Sequence, residues 1–442
     1  MVIVLATDDR HQFPPKKKSS GYTCEKQEFE TMLAKYPELC WLSGFEPMEL
    51  WTSSKISCIK AFGEHASPFD LAIKGIRAID LFISGEYPDY LELISVMPAD
   101  RKLLWQQFLL AQSHIQFILD NLLALSKEEM IHCLKLALII SEMSGSKIMK
   151  EKAWVYQISD EDDLFLLQKV IERHPELFPT FASMNLEQKQ CVSQLLQSIQ
   201  LDGLFYFTSV YTSMKEIFEQ NLVTKKRDLF DLILFVHQCR ICARDVGKGQ
   251  LWGRGLDEKE FQHHQLFRQA NLISSVWGIE EGYQYYLSQR SNWLGFQLST
   301  PLERTLTFVG SMLNCYSFEE AEVVKETFLS LDPEDISRLV SDLEFLCSKG
   351  DSQYRYFSSV LSHLQKNQKV GRSEQERLAK TIEVAFPMLS KLYFMNQSSK
   401  SKSEVPLDFS EIAQMAKCDP ELLINRHLKI AKQGKVVVCK KQ

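Results

Sequence analysis

Stretches of ten to twenty-five residues, with apolar side chains at three- and four-residue spacing, follow one another along this chain, and few helix-breaking residues interrupt them. Glycine (18) and proline (14) are scarce among 442 residues, whereas a β-rich chain of this size needs many turns built from such residues. The pattern predicts an all-α protein with a sizeable core. Hydrophobic residues at 45% and charged residues at 24% exclude collagen-like and wholly disordered chains. No window reaches the roughly 18 apolar residues that span a bilayer. A net charge of −6 argues against a general nucleic-acid or membrane-surface binder.

Eleven cysteines run from Cys24 to Cys439, and Cys133, Cys191 and Cys347 lie inside apolar helical runs. An odd, scattered set predicts free thiols buried as small hydrophobes in a reducing compartment, here the cytoplasm. A bacterial protein exported into a host cell by a dedicated machine would read the same. Met1 to Ala6 is too short for a signal-peptide core, and Pro14, Pro15 and Lys16 to Lys18 read as a flexible basic tail. The end, Cys439-Lys440-Lys441-Gln442, places lysines where a prenylation box needs aliphatic residues, so it reads as a frayed basic terminus.

Arg101 to Leu125 carries apolar residues on nearly every face, which predicts a central, buried helix. Ser126 caps the next one, with Glu128 and Glu129 in its first turn. Further helices are expected over 161–173, 186–200, 226–243, 258–274, 280–289, 301–314, 317–330, 333–348 and 353–365, with a capping box at Ser317 and a proline start at Pro333. The chain turns polar over 365–374, and 396–404 reads as a Ser/Lys-rich linker. Beyond it come a helix over 409–416, a turn at 417–419, a helix over 420–432 and the β-prone Val436 to Val438. That order resembles a helix-turn-helix with the start of a wing. The organisation expected is a flexible tail over 1–30, one large multi-helix domain over 31–365, and a linker plus helix-turn-helix-like or winged-helix-like module over 366–442. Residues 406–442 carry seven Lys/Arg against four Asp/Glu, with Asn425, Arg426 and Lys429 on the second helix, a thin basis for reading nucleic acid.

The sharpest chemical constellation lies between residues 110 and 165. His114 sits among Leu110, Ala111, Phe117 and Ile118, an apolar setting in which an imidazole needs a partner. Leu136 to Ile140 then ends in Ser141-Glu142-Met143-Ser144-Gly145, and Asp160-Glu161-Asp162-Asp163 opens a later helix. This layout resembles the HD-type metal-dependent phosphohydrolases, whose pattern is His, His-Asp, Asp. His114 stands in the first position and Asp162 in the last, while Ser141-Glu142 replaces the central His-Asp. Residues of about 100–365, including His174 to Pro179, Phe230 to Gly249 and Tyr286 to Met312, are similar to a long all-helical HD-like family of fungi and some bacteria. The resemblance implies a divalent metal that generates hydroxide for attack on phosphorus. With one histidine ligand lost, His114, Glu142 and Asp162 could hold magnesium, manganese or iron only weakly. The competing reading is a relic scaffold in which His114 is a hydrogen-bonded core histidine.

Other clusters read more blandly. His237, Cys239 and Cys242 with His263 and His264 have zinc-like residue types, but the cysteines lie on a predicted helix rather than a turn. Arg244-Asp245-Val246-Gly247-Lys248-Gly249, leading to Gly253-Arg254-Gly255, could wrap an anion with backbone N–H groups and Arg244, Lys248 and Arg254. Its spacing is not that of a phosphate-binding P-loop. Tyr283, Tyr285, Tyr286 and Trp293 with Arg290 fit a core face better than a stacking platform. Three functions follow: a catalytically degenerate HD-like protein that binds a protein or a small anionic ligand; a metal-dependent phosphohydrolase using His114, Glu142 and Asp162, with Lys147 or Lys152 screening phosphate; and a nucleic-acid regulator acting through 406–442.

Overall fold

The computed structural model describes most of residues 68–439, leaving out 200–209, 244–256, 350–353, 399–406, 431–435 and shorter gaps that include 160–162; before residue 68 it describes 23–24, 26–39, Leu42 and 56–57. The described chain is predominantly helical. Its first half contains α1 (Lys26–Lys35), α2 (Pro68–Ser84), α3 (Tyr87–Leu93), α4 (Trp105–Asn121), α5 (Lys127–Glu142), α6 (Lys147–Val155), α7 (Asp163–Arg173), the short α8 (Pro179–Ser183) and α9 (Leu186–Ile199). The second half contains α10 (Val210–Glu219), α11 (Leu222–Lys225), α12 (Arg227–Ala243), α13 (Glu258–Trp277), α14 (Ile279–Leu294), α15 (Pro301–Met312), α16 (Phe318–Leu329), α17 (Pro333–Lys349), α18 (Phe357–Lys366), α19 (Glu374–Ser398) and α20 (Ser410–Cys418). No helix among the described residues is long and apolar enough to cross a membrane.

Two hydrophobic cores organise these helices. The first runs in sequence from Leu33 to Phe261, with α2, α5 and α12 at its centre. Helix α5 starts on the expected capping box, in which the Ser126 hydroxyl accepts from the Glu129 N–H at 3.2 Å while Glu129 accepts from the Ser126 N–H at 2.8 Å. Its residues Cys133 to Glu142 are all buried, so apolar side chains on every face find cover. Gly75 lets α2 come close to α5, because a Cβ there would stand 2.7 Å from Leu138 Cδ1. Helix α4 is not the buried centre that its composition predicts. Phe108, Ile115, Ile118 and Leu119 form one buried stripe, while Leu110 and Phe117 are 75% and 66% exposed. The central places are taken by α5 and α12, and α4 lies outside them with only that stripe packed inward.

The second core spans Val210 to Val436. Helices α13 and α14 fold back on each other at Gly278, whose φ of 108° suits glycine. They then pack so closely at Gly282 that an added Cβ would lie 1.9 Å from Ser274 Oγ and 2.5 Å from the Ala270 carbonyl oxygen. The proline start at Pro333 and the capping box at Ser317 stand as expected. Helix α19 is absent from the sequence expectation. It carries Pro387 in its interior, which argues against a helix, yet Leu378, Ile382, Ala385, Phe386, Leu389 and Leu392 bury one continuous stripe. Asp335 and Ser390 tie it to α17 with a buried 2.7 Å hydrogen bond.

Both ends of the chain differ from the expected division. Helix α1 begins at Lys26, inside the segment expected to be tail. At the other end, Leu407, Phe409, Ile412, Leu423 and Val436 belong to the second core, so the residues after 366 pack with α10 to α18. Strand β3 (Tyr354–Arg355) pairs in parallel with β4 (Leu407–Asp408). The helix expected over 420–432 is a strand where 427–430 is concerned: β5 (His427–Ile430) pairs antiparallel with β6 (Val436–Cys439). Three consecutive β-branched valines favour the extended backbone, and His427 to Ile430 supplies the partner of the ladder. Lys429 therefore stands on a strand and not on a recognition helix. Two further short strands, Thr23–Cys24 and Ile56–Ser57, pair near the start.

Gly282→Ala tests the α13–α14 contact. Overpacking against Ser274 and Ala270 should cost about 1–3 kcal/mol in urea unfolding; an unchanged midpoint would show slack at that crossing.

Candidate functional site

His114 reaches from α4 to Asp231, a lone carboxylate on the otherwise apolar face of α12. Nε2 lies 2.8 Å from Asp231 Oδ2, and the two side chains are 42% and 3% exposed. Arg268 of α13 grips the same carboxylate twice, at 2.5 and 2.8 Å, and its Nη2 stands 3.4 Å from His114 Nε2. The Asp231 hydrogen bonds hold the Arg268 guanidinium above its ordinary pKa. A carboxylate only accepts, so the ring proton that meets Asp231 belongs on Nε2, and in a neutral ring Nδ1 is left as the acceptor. That nitrogen can accept a hydrogen bond or a proton. A cavity of about 50 Å³ beside the cluster is walled mainly by Phe82, Ile115, Leu234 and Phe235. The histidine is thus hydrogen-bonded, as the scaffold reading expects, but it is a surface residue and not a core one.

Glu142 is committed elsewhere. It is buried against Arg240, in a direct ion pair. Arg240 lies nine residues after Asp231 on α12, about 13 Å along the helix axis. The partners that hold His114 and Glu142 therefore sit far apart, and the structure does not bring these two candidates to one ion. Ser141 donates to the Leu138 carbonyl at 2.7 Å. Asp162 lies outside the described residues, as do Arg244, Lys248 and Arg254. Among the described residues, no three His, Cys, Asp or Glu side chains converge as metal ligands do. Lys152 is exposed on α6.

The remaining clusters are core. Cys239 and Cys242 are buried on α12, and burial pushes both thiols up. His263 and His264 are buried on α13; His263 Nε2 meets the Tyr286 hydroxyl at 2.9 Å. Burial, with Arg290 and His264 nearby, holds His263 well below its ordinary range, and burial pushes His264 down to about 4. Arg290 is fully buried beneath the rings of Trp293 and Tyr316, with centroid distances of 5.2 and 5.0 Å.

A larger groove, of about 630 Å³, opens where Met97 and Arg101 meet the second core. The corner Leu313 to Ser317 forms one wall, with Asn314 in a left-handed conformation at φ 55°. Arg290 holds this corner from below by donating to the Cys315 carbonyl at 2.7 Å. Gln365 of α18 donates to the Leu313 carbonyl at 2.8 Å, and Arg377 of α19 donates to the Gln365 carbonyl at 2.8 Å. On the facing side Asp257 caps α13 and pairs with Arg101, while Lys259 reaches Glu320 at 3.9 Å. The walls are joined by side chains from six segments. None of these tying residues is apparent from spacing alone, because the ties join positions up to 156 residues apart. Asp231 did leave a signal, a single carboxylate between Phe230 and Leu232 in an apolar run.

Comparison with family models, curated proteins and solved structures finds no match to this chain.

Two measurements check these assignments. Asp231→Asn leaves the partly buried Arg268 without a counter-charge and should cost about 2–4 kcal/mol in equilibrium unfolding; Arg268→Met in that background should restore part of it. For the histidines, the folded chain resists protonation that the unfolded chain accepts. Stability is therefore full above the ordinary value of 6.5 and falls as pH drops from there toward about 4. The slope is at most about 1.4 kcal/mol per pH unit for each buried histidine. Urea midpoints across that window should decline, and His264→Gln should flatten the decline.

Proposed function

We propose that this chain is a binding protein on an HD-like helical frame whose former ligand positions serve as structural pairs, and that it holds a small polar ligand in the groove of about 630 Å³. The observation that carries this reading is the tying of the groove walls. Arg101–Asp257, Gln365–Leu313, Arg377–Gln365 and Arg290–Cys315 fix the lining before any ligand arrives. Preorganisation of that kind reduces the ordering entropy that binding costs. The volume lies in the range of small-molecule pockets, and junctions between packing units are common places for them. The commitment of His114 to Asp231 and of Glu142 to Arg240 supports the loss of a hydrolytic centre.

The lining sets the ligand chemistry. Arg101, Lys259, Lys366 and Arg377 face Asp257, Glu260, Glu319, Glu320 and Glu374, so both signs of charge are offered. A simple polyanion meets more carboxylates than cations there. A molecule with an anionic group and an amine or several N–H donors matches better, as dipeptides and mononucleotides do.

Thermal unfolding of the intact chain with a panel of mononucleotides, dipeptides and free amino acids tests the reading. At least one class should raise the midpoint by a saturable amount, and Lys259→Glu or Glu319→Lys should abolish the rise, read against each variant's own unliganded midpoint. A panel without effect, or an effect indifferent to both substitutions, would remove the groove as the site.

A second reading rests on α4, where Leu110 and Phe117 stand exposed on either side of His114. Exposed large apolar side chains grouped on one face are characteristic of protein contacts.

A further inference from the structure

Cysteines 133 and 191 belong to neither site. Cys133 is fully buried on α5, and Cys191 is half-buried on α9, the helix packed against it. The two helices meet in register at this point. The Cys133 thiol lies 3.9 Å from the Gln188 carbonyl oxygen, one turn before Cys191, and the Cys191 thiol lies 3.6 Å from Met130 Sδ, one turn before Cys133. Gln188 also donates to Glu129 at 3.0 Å, which fastens the same crossing. These reciprocal contacts, each one turn from the other cysteine, set the two thiols beside each other on the facing sides of one crossing, the placement that a disulfide requires.

From this juxtaposition we infer that Cys133 and Cys191 form a peroxide-responsive dithiol, in which partly exposed Cys191 is attacked first and buried Cys133 resolves it to an intramolecular disulfide. Direction of reaction follows from their settings. Hydrogen bonding from Cys133 lowers the Cys191 pKa despite its burial, and the same contact, together with desolvation and Glu129, raises that of Cys133. The thiolate is the reactive form, and it is the one with access to solvent.

The chemistry balances with a hydroperoxide as oxidant. The Cys191 thiolate attacks one peroxide oxygen, the O–O bond breaks, and hydroxide leaves and becomes water, giving a sulfenic acid. The Cys133 sulfur then attacks the Cys191 sulfur, the S–O bond breaks, and the departing hydroxide takes the Cys133 proton as a second water. Two thiols have lost two electrons and two protons to one peroxide, and α5 is joined covalently to α9.

Tryptic cleavage isolates each cysteine, Cys133 within Glu128–Lys135 and Cys191 within Gln190–Lys215, with no other cysteine in either peptide. The full-length protein is treated with hydrogen peroxide, blocked with an alkylating agent and mapped without reduction. The expected product is those two peptides joined, two hydrogens lighter than their sum and separated by dithiothreitol. In Cys133→Ala the sulfenic acid should persist on Cys191 and take up dimedone, whereas Cys191→Ser should leave Cys133 unlabelled. Absence of the joined peptide in the wild-type chain overturns the proposal, whatever the variants do. Dimedone uptake at Cys133 in Cys191→Ser overturns the assigned order of attack.

Discussion

Helix α12 belongs to both hydrophobic cores, and the rest of the structure is arranged around that fact. Phe230 and Leu234 pack into the second core, while Leu232, Ile233, Phe235 and Val236 pack into the first. Past its exposed first turn the helix is covered on nearly all sides, so each ionised group in that stretch needs a counter-charge. Asp231 has Arg268 and His114, and Arg240 has Glu142. These pairs draw α4, α5 and α13 onto one rod. Their net worth in stability is small, since desolvation offsets much of the attraction, but deleting one partner leaves a stranded charge. The pairs therefore specify which helices meet α12 more than they strengthen the contact.

The same economy explains why a histidine and a glutamate with the sequence signature of metal ligands have other work. In a metal centre these side chains need a shared cation within about 2–2.2 Å. Here the positive charges come from guanidinium groups at two separate places along α12. An arginine provides its charge without depending on metal supply, and its planar fork fits a carboxylate twice over. Arg268 does so on Asp231. The cohesion is thereby spread over two points of the helix.

The helical class was legible because it follows from local spacing, and starts such as Ser126, Ser317 and Pro333 were legible because caps are local as well. The errors arose where long-range packing outweighs local preference. Helix α4 reads as buried throughout, but α5 and α12 fill the centre and leave Leu110 and Phe117 outside. Helix α19 tolerates Pro387 because its buried stripe outweighs one missing hydrogen bond. The 427–430 segment is a strand, paired antiparallel with the β-prone Val436 to Val438, a pairing that local spacing does not report. For the sites, residue types around His114 were visible, but its partner Asp231 is 117 positions away and nothing in spacing reports such a distance.

The two cores also differ in when they can be completed during synthesis. Every residue of the first is present once Phe261 has been added, and its α5–α9 crossing joins segments fewer than a hundred positions apart. The second begins at Val210 but has to wait for Phe409, Ile412 and Val436, and for Leu407 to pair with Tyr354. At a translation rate of about 5–20 residues per second, the stretch after Phe261 takes on the order of ten seconds or more to emerge. During that interval Phe230 and Leu234 of α12 have only the early members of the second core, Val210 to Val223 and then Leu266 onward, to pack against. The last pieces of that core, from the far end of the sequence, complete the cover of a helix whose other face is already finished.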